Sequence, residues 1–362
     1  MKQFPVATIN PAALRHNLSR VRQLAPDSRV MSVIKADAYG HGVLTVAESL
    51  RDSDAFAVAR LNEGVFLREH GIEKPIVLLE GVNSEADFIT AARYDLSPLI
   101  HLHTQIQLLQ RIKLPKPLQF NWLMVDSGMH RLGISPEQAT SALSLLQACQ
   151  NIHGEIGLMS HFANSDLVGD PRNEAQLETM LALKQQTDVP LCMANSAAVL
   201  SYPQSHKDWV RPGLMLYGIA PFDDKSGGAF DLQPAMQLKT RLIAVYDIEA
   251  GGQVGYGGDW TADKPTRVGV ASIGYGDGYS RHLSNKAEVL LRDQKVAVIG
   301  RVSMDTICLN LNDMEHAQVG DEVVLWGQPD LPVEQLATLA GTIPYELVTV
   351  ICQRVARELS DG

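Results

Sequence analysis

Arg29-Val30-Met31-Ser32-Val33-Ile34 runs directly into Lys35-Ala36-Asp37-Ala38-Tyr39-Gly40-His41-Gly42. Strand-forming residues end at a charged residue and a glycine-rich turn, the pattern of a buried parallel strand leaving its sheet. Similar short runs occur at 55–58, 76–79, 96–100, 118–125, 155–160, 191–193 and 214–217, so eight strands are expected. Helix-like stretches lie between most of them, at 44–51, 86–93, 136–149 and 174–187. In the last of these, Leu177, Met180, Leu181 and Lys184 recur at three-to-four spacing among polar residues. Eight such units predict an α/β barrel, TIM-like (β/α)8, with an open doubly wound sheet as the alternative.

The pattern changes after Pro221. Residues 222–230 are rich in Gly and Asp and read as a linker. Beyond them the β-rich segments 238–248, 267–273, 288–291, 295–299, 306–311 and 322–326 alternate with glycine-bearing turns, and Arg292-Asp293-Gln294 reads as a hairpin turn. Two domains are expected: a barrel over 1–229 and a C-terminal, mostly-β domain over 230–362.

Bulk properties narrow the function. A formal charge of −10 argues against non-specific nucleic-acid binding and against an anionic membrane surface. Cys149, Cys192, Cys308 and Cys352 form no CxxC pair, so neither a zinc site nor a disulfide framework is expected, and buried free thiols are the plain reading. No signal-peptide pattern or apolar run long enough to span a membrane occurs, and a cytoplasmic setting is expected.

Lys35 is placed at the end of a barrel strand, on the face where barrel enzymes do chemistry. Reduced solvation there lowers an amine's pKa and frees it for Schiff-base formation; the alternative is a strand-end lysine reaching solvent. Asn195-Ser196 follows the seventh expected strand, and Arg211-Pro212-Gly213 adjoins the eighth. Loops at those places are the usual phosphate site of a barrel, although Asn195 or Ser196 also suits a helix N-cap. An arginine such as Arg211, set against a pyridine nitrogen, leaves that nitrogen unprotonated. A structural arginine at the barrel mouth is the other reading. His161 follows the sixth expected strand and reads as a hydrogen-bonding support, since no cluster has metal-ligand spacing. Tyr256 and Tyr275 stand between glycines in two loops of the second domain, where turn chemistry explains the glycines and not the tyrosines.

Nine motifs in order are similar to those of the pyridoxal-phosphate-dependent alanine racemases of fold type III. They are Val33-Ile34-Lys35-Ala36-Asp37-Ala38-Tyr39-Gly40-His41-Gly42, Asp126-Ser127-Gly128-Met129-His130-Arg131-Leu132-Gly133, Ser160-His161, Asn195-Ser196, Arg211-Pro212-Gly213, Gly255-Tyr256-Gly257, Gly274-Tyr275-Gly276-Asp277-Gly278, Ser303-Met304-Asp305 and Pro344-Tyr345-Glu346. The resemblance covers nearly the whole chain.

It implies interconversion of L- and D-alanine by two bases, with pyridoxal 5'-phosphate as cofactor and no metal. Lys35 would carry the cofactor and serve as one base. Tyr256, from the other subunit of a homodimer, would be the second. His161 and Arg211 would form a hydrogen-bonded chain to that tyrosine. Tyr39, Ser196, Gly213, Leu214 and Tyr345 would hold the cofactor phosphate. Arg131 would contact the cofactor and the substrate carboxylate, with the Met304 N–H from the partner helping. Tyr275, Asp305 and Tyr345 would narrow the entrance, with Asp166, Arg281, Arg301 and Ile343 farther out. The chain departs from many relatives at Met124, where they carry a lysine, often carbamylated, that braces the arginine. A bound anion such as chloride, or another carboxylate, is expected to brace Arg131 instead, because an unpaired buried arginine is costly. Serine or broad-specificity racemisation, a type III decarboxylase and a non-catalytic cofactor carrier are the competing readings. Either D-alanine supply for cell wall or alanine catabolism is compatible with the sequence.

Overall fold

In the computed structural model, which describes residues 4–360, the strands are β1 (Val6–Ile9), β2 (Arg29–Val33), β3 (Ala55–Val58), β4 (Ile76–Leu78), β5 (Leu96–Pro98), β6 (Leu118–Met124), β7 (Ile152–Met159), β8 (Leu191–Cys192), β9 (Trp209–Val210), β10 (Met236–Ile248), β11 (Gln253–Val254), β12 (Trp260–Thr261), β13 (Thr266–Ala271), β14 (Glu288–Leu291), β15 (Gln294–Ile299), β16 (Ile307–Asn310), β17 (Glu322–Trp326) and β18 (Ala356–Leu359). The chain divides into two compact units. One comprises residues 17–38 and 43–216, the other residues 1–16, 39–42 and 217–362.

The first unit holds eight parallel strands in the order β5-β4-β3-β2-β9-β8-β7-β6. Ile100 closes the ring: its N–H donates to Trp122 O at 2.9 Å and its carbonyl accepts from Met124 N at 2.7 Å. The arrangement is a TIM-like parallel barrel. Its strands are nearly continuous apolar runs because both faces are buried, as in Ala55–Val58, where every residue is buried. Phe120, Trp122 and Trp209 pack together with ring centroids 5.4 to 5.8 Å apart near the N-terminal end of the strands. Arg29, the first residue of β2, lies over the Trp209 ring at 4.6 Å. The opposite end is left for the loops that follow the strands.

The expected eighth strand at 214–217 is instead a 3-10 turn, and the strand is Trp209–Val210. Pro212 has no N–H for a ladder and Gly213 weakens a strand, so pairing stops before them. Two residues are too few to show a period, which hides β9 in the sequence.

In the second unit a sheet runs β13-β16-β15-β14-β17-β10-β1-β18, with β10 also pairing β13. The long β10 pairs β17 through residues 238–241 and β13 through residues 242–248, which closes a small antiparallel barrel. β1 pairs antiparallel with β10 and parallel with β18, so the first and the last strand lie in this unit. The hairpin β14–β15 turns on Arg292 and Asp293, both left-handed at φ 51° and 60°, and Gln294 is already in the ladder. That backbone matches the twist of an antiparallel pair. The expected linker is packed: Phe222 is buried, and its ring lies 5.2 Å from that of Phe230. The four cysteines are unpaired, with Cys149 and Cys192 buried and Cys308 and Cys352 only half-buried.

Candidate functional site

Lys35 stands two residues past β2, at the C-terminal end of the barrel strands. Ala36, Asp37, Ala38 and Tyr39 then take φ of 53°, 51°, 52° and 55°, a left-handed turn built without glycine. Such backbone costs roughly 1–2 kcal/mol per residue and persists only where its surroundings hold it. Glu63 accepts from Ala36 N at 2.7 Å, and Asp37 accepts from Val43 N at 2.8 Å. In the β-rich unit, Arg357 donates to Gly40 O through Nε and Nη2, both at 3.2 Å. The same guanidinium donates to Cys352 O at 2.7 Å, Val355 O at 2.8 Å and Ile351 O at 2.7 Å. Gly40 has φ +79°, and a Cβ there would meet Val348 O at 2.2 Å, so no larger residue fits.

The barrel mouth is cationic around the lysine. Burial, then Arg211 and Arg131, push the Lys35 amine below its ordinary pKa, while Glu63 and Glu80 push back. His161 is held well below the usual imidazole range by burial, Arg211, Arg131 and Lys35, and is therefore neutral at pH 7. Arg211 is buried and donates to Ser160 O at 2.8 Å; its two terminal nitrogens lie 3.3 and 3.2 Å from His161 Nδ1. Since an arginine only donates, Nδ1 is the acceptor, which assigns the imidazole proton to Nε2. Arg211 Nε is buried with no hydrogen-bond partner. A buried guanidinium with a spare donor suits a ligand atom that accepts a hydrogen bond.

Ser196 Oγ accepts from Gly213 N at 2.9 Å and Met215 N at 3.2 Å, which ties the loops after β8 and β9 together. The helix N-cap is Asn195, whose side chain accepts from Ala198 N at 3.1 Å. The Ser196 hydroxyl proton is left for a ligand. Arg131 sits on the 126–133 loop, which Asp126 organises by accepting from Gly128 N at 3.0 Å and His130 N at 2.9 Å. Burial pushes the Asp126 carboxyl up, and these bonds, together with His130, more than offset it. Met124 is buried on β6 but Arg131 is exposed. Water solvates the guanidinium, so the expected cost of an unpaired buried arginine does not arise in the single chain.

The β-rich unit assembles its own groups. The Tyr39 ring lies 4.7 Å from Tyr217 and 6.0 Å from Tyr345. Tyr256 rides a turn between β11 and β12 in which Gly255, Gly257 and Gly258 all have positive φ, and the residue is 71% exposed. Arg301 packs against that turn and pairs with Asp259. Tyr275 N donates to Ser303 O at 3.0 Å and Gly276 N to Met304 O at 2.9 Å, which brings Tyr275, Met304 and Asp305 together. Arg354 clamps them by pairing with Asp277 at 2.6 Å and Asp305 at 2.8 Å. Tyr275, Met304 and Ile343 are exposed apolar residues, and Arg281 is exposed as well. Asp166 is exposed on a barrel loop.

Reading the sequence missed Glu63, Gln176, Arg354 and Arg357. Glu63 had a signal: it is the third residue of helix Leu61–Glu69, where a carboxylate reaches back to the N-terminus. Gln176 donates to His161 O at 3.0 Å and Ser127 Oγ at 3.2 Å, contacts that nothing in its helix pattern announces.

The model of the alanine racemase N-terminal domain matches residues 9–221, and that of the C-terminal domain matches residues 235–359. The chain is 46% identical to an alanine racemase of Nitrosococcus oceani over 356 residues, covering 98% of this chain and 99% of that one. It is also 46% identical to an alanine racemase of Aeromonas hydrophila, covering 98% of each. A crystal structure of biosynthetic alanine racemase from Pseudomonas aeruginosa superposes with a TM-score of 0.93 at 39% identity, covering 99% of this chain and all of that one. Matched by family models in both halves and alike to these relatives from end to end, the chain belongs to the alanine racemase family.

Proposed function

We infer that the chain interconverts L- and D-alanine with pyridoxal phosphate as cofactor. The observation that carries this reading is the barrel mouth itself: a lysine whose pKa is lowered, a neutral His161, and a buried Arg211 with a donor to spare, all within a family of alanine racemases. These residues fit the cofactor, for Arg211 Nε meets an acceptor such as a ring nitrogen and Ser196 meets a phosphate. Bound there, pyridoxal phosphate supplies an electron sink that acidifies the Cα–H of an attached amino acid.

The chain's own residues do the rest. Lys35 carries the cofactor, and as a free amine it takes or returns the Cα proton on one face. Its lowered pKa raises the fraction of free amine near neutral pH. Arg211 keeps its own proton, so it would offer a ring nitrogen a hydrogen bond and no more. Tyr256, contributed by a second copy of the chain, handles the opposite face, and His161 Nε2–H supports it. Tyr39, Ser196, Gly213, Leu214 and Tyr345 would hold the phosphate. Arg131 and the Met304 N–H hold the substrate carboxylate. Asp166, Tyr275, Arg281, Arg301, Asp305 and Ile343 line the way in. The working unit is a homodimer, for which the exposed Tyr256, Tyr275 and Met304 speak. The proposed setting is the cytoplasm, supported by the unpaired cysteines.

The test is the purified chain's visible absorption, followed by racemisation of alanine, serine, lysine and arginine side by side. Cofactor absorption with alanine turned over fastest is expected. Absence of the absorption, or a preference for serine, would overturn the reading.

A further inference from the structure

The turn that presents Lys35 departs from the barrel wall in a conformation that side chains disfavour, with φ between 51° and 55° over Ala36–Tyr39. Glu63, on the helix Leu61–Glu69 that follows β3, reaches its first peptide. Glu63 Oε1 accepts from Ala36 N at 2.7 Å, while its Oε2 accepts from Ala59 N at 2.8 Å and Arg60 N at 2.9 Å. Both carboxylate oxygens are therefore engaged, one on each side of a gap between the loops after β2 and β3. The far side of this bridge is firmly held. Ala59 O accepts from Glu80 N at 3.0 Å, and Val58 O from Leu79 N at 2.8 Å, so the β3–β4 ladder continues to the point of attachment.

We propose that Glu63 is a positioning residue for racemisation: its carboxylate staples the Lys35 turn to the barrel rim and so fixes where the lysine amine stands. This rests on Lys35 being the cofactor lysine, as inferred above. The chemistry of the residue type supports the assignment. Three backbone N–H groups converge on one side chain, and only an ionised carboxylate accepts on both oxygens. A glutamine turns its NH2 toward one set of donors and satisfies only the other. An aspartate keeps the charge but is one methylene shorter, so it cannot span both sides.

Glu63 also acts on the amine through space. Lys35 is faced by Arg211, Arg131 and His161, and by Glu63 and Glu80; of these only the two glutamates favour the ammonium form. Loss of the Glu63 charge therefore lowers the Lys35 pKa further, whereas loss of the staple without loss of charge leaves it near the wild-type value.

The experiment compares wild type, Glu63→Gln and Glu63→Asp as full-length, cofactor-bound proteins. Amide hydrogen exchange by mass spectrometry is followed in the peptides holding Ala36 and Ala59–Arg60, and kcat for alanine is measured against pH. Exchange at Ala36 should quicken at least tenfold in both variants. The limb of the kcat profile that reports the lysine should move to lower pH in Glu63→Gln and stay in place in Glu63→Asp. Unchanged exchange at Ala36 in both variants would overturn the staple. Equal movement of the pH limb in both would overturn the role of charge. Glu63→Asp keeps the comparison open if Glu63→Gln does not fold. If wild type itself shows no cofactor absorption, the cofactor reading fails, and the exchange data still decide whether Glu63 holds the turn.

Discussion

Arg357→Met should strongly destabilise the β-rich unit. The guanidinium makes five N–H···O contacts at 2.7–3.2 Å to the carbonyls of Gly40, Ile351, Cys352 and Val355. Charged hydrogen bonds carry about 1.5–3 kcal/mol each, but contacts sharing one side chain are not additive, and part-buried carbonyls recover some water. At about 1 kcal/mol for each carbonyl deprived of this donor, the loss comes to about 4 kcal/mol. That is a large part of the 5–15 kcal/mol typical of a folded domain. Arg357→Lys has three donors and no fork, so it should recover less than half. Urea unfolding at constant m gives the stability, and cofactor retention on dialysis reports the turn, since Gly40 adjoins Tyr39. A loss below about 1 kcal/mol in Arg357→Met, with unchanged retention, would mean that the guanidinium does not hold these carbonyls together.

Ser196→Ala leaves Gly213 N and Met215 N without their buried acceptor; a loss of roughly 2–4 kcal/mol and faster cofactor release on dialysis are expected. Glu334 has a raised pKa because burial outweighs the bonds it accepts from Ala220 N and Gly227 N. Its folded form keeps a proton that the unfolded chain has lost, so its contribution is present below the ordinary value of 4.5 and is lost as pH rises through the folded value. Both bonds fall on Oε1, at 3.0 and 2.8 Å, and a glutamine oxygen retains them. Glu334→Gln should therefore equal or exceed wild type in urea midpoint at pH 8 and lose that advantage at pH 4; a variant weaker at pH 8 contradicts this. Tyr256→Phe should slow Cα deuterium exchange from one alanine enantiomer by roughly 10²–10⁴ and spare the other, whereas equal losses would count against two bases.

Seven of the barrel strands are legible because most of their residues are buried, wholly so in Ala55–Val58, which leaves apolar runs little broken by polar residues. β9 is not legible, because two residues carry no period and the apolar run after Gly213 is more conspicuous. β1 reads as a strand only once its partners are known, and these lie at Met236–Lys239 and Ala356–Leu359. The chemistry-bearing residues were visible through motif order: Lys35, His161 and Arg211 are far apart in sequence, yet Arg211 meets His161 directly. Their supports were hidden for a physical reason. Arg357 acts on backbone atoms, which look alike in every sequence, and Gly40 lies 317 residues from it; the helix position of Glu63 announces its bonds to Ala59 and Arg60 but not the one to Ala36. The left-handed turn at Ala36–Tyr39 is likewise unforeseen, since alanine and tyrosine give no local hint of positive φ.

Everything proposed for the barrel mouth turns on Lys35 removing or returning the Cα proton of alanine. The most direct test is Cα deuterium exchange from L- and D-alanine in D2O, by wild type and by Lys35→Ala, with the visible spectrum recorded on the same samples. Wild type should absorb in the visible and exchange both enantiomers. Lys35→Ala should lose the wild-type absorption band and fall by at least roughly a hundredfold in exchange from one of them. Lys35→Ala retaining that band and racemising alanine at the wild-type rate would contradict the account.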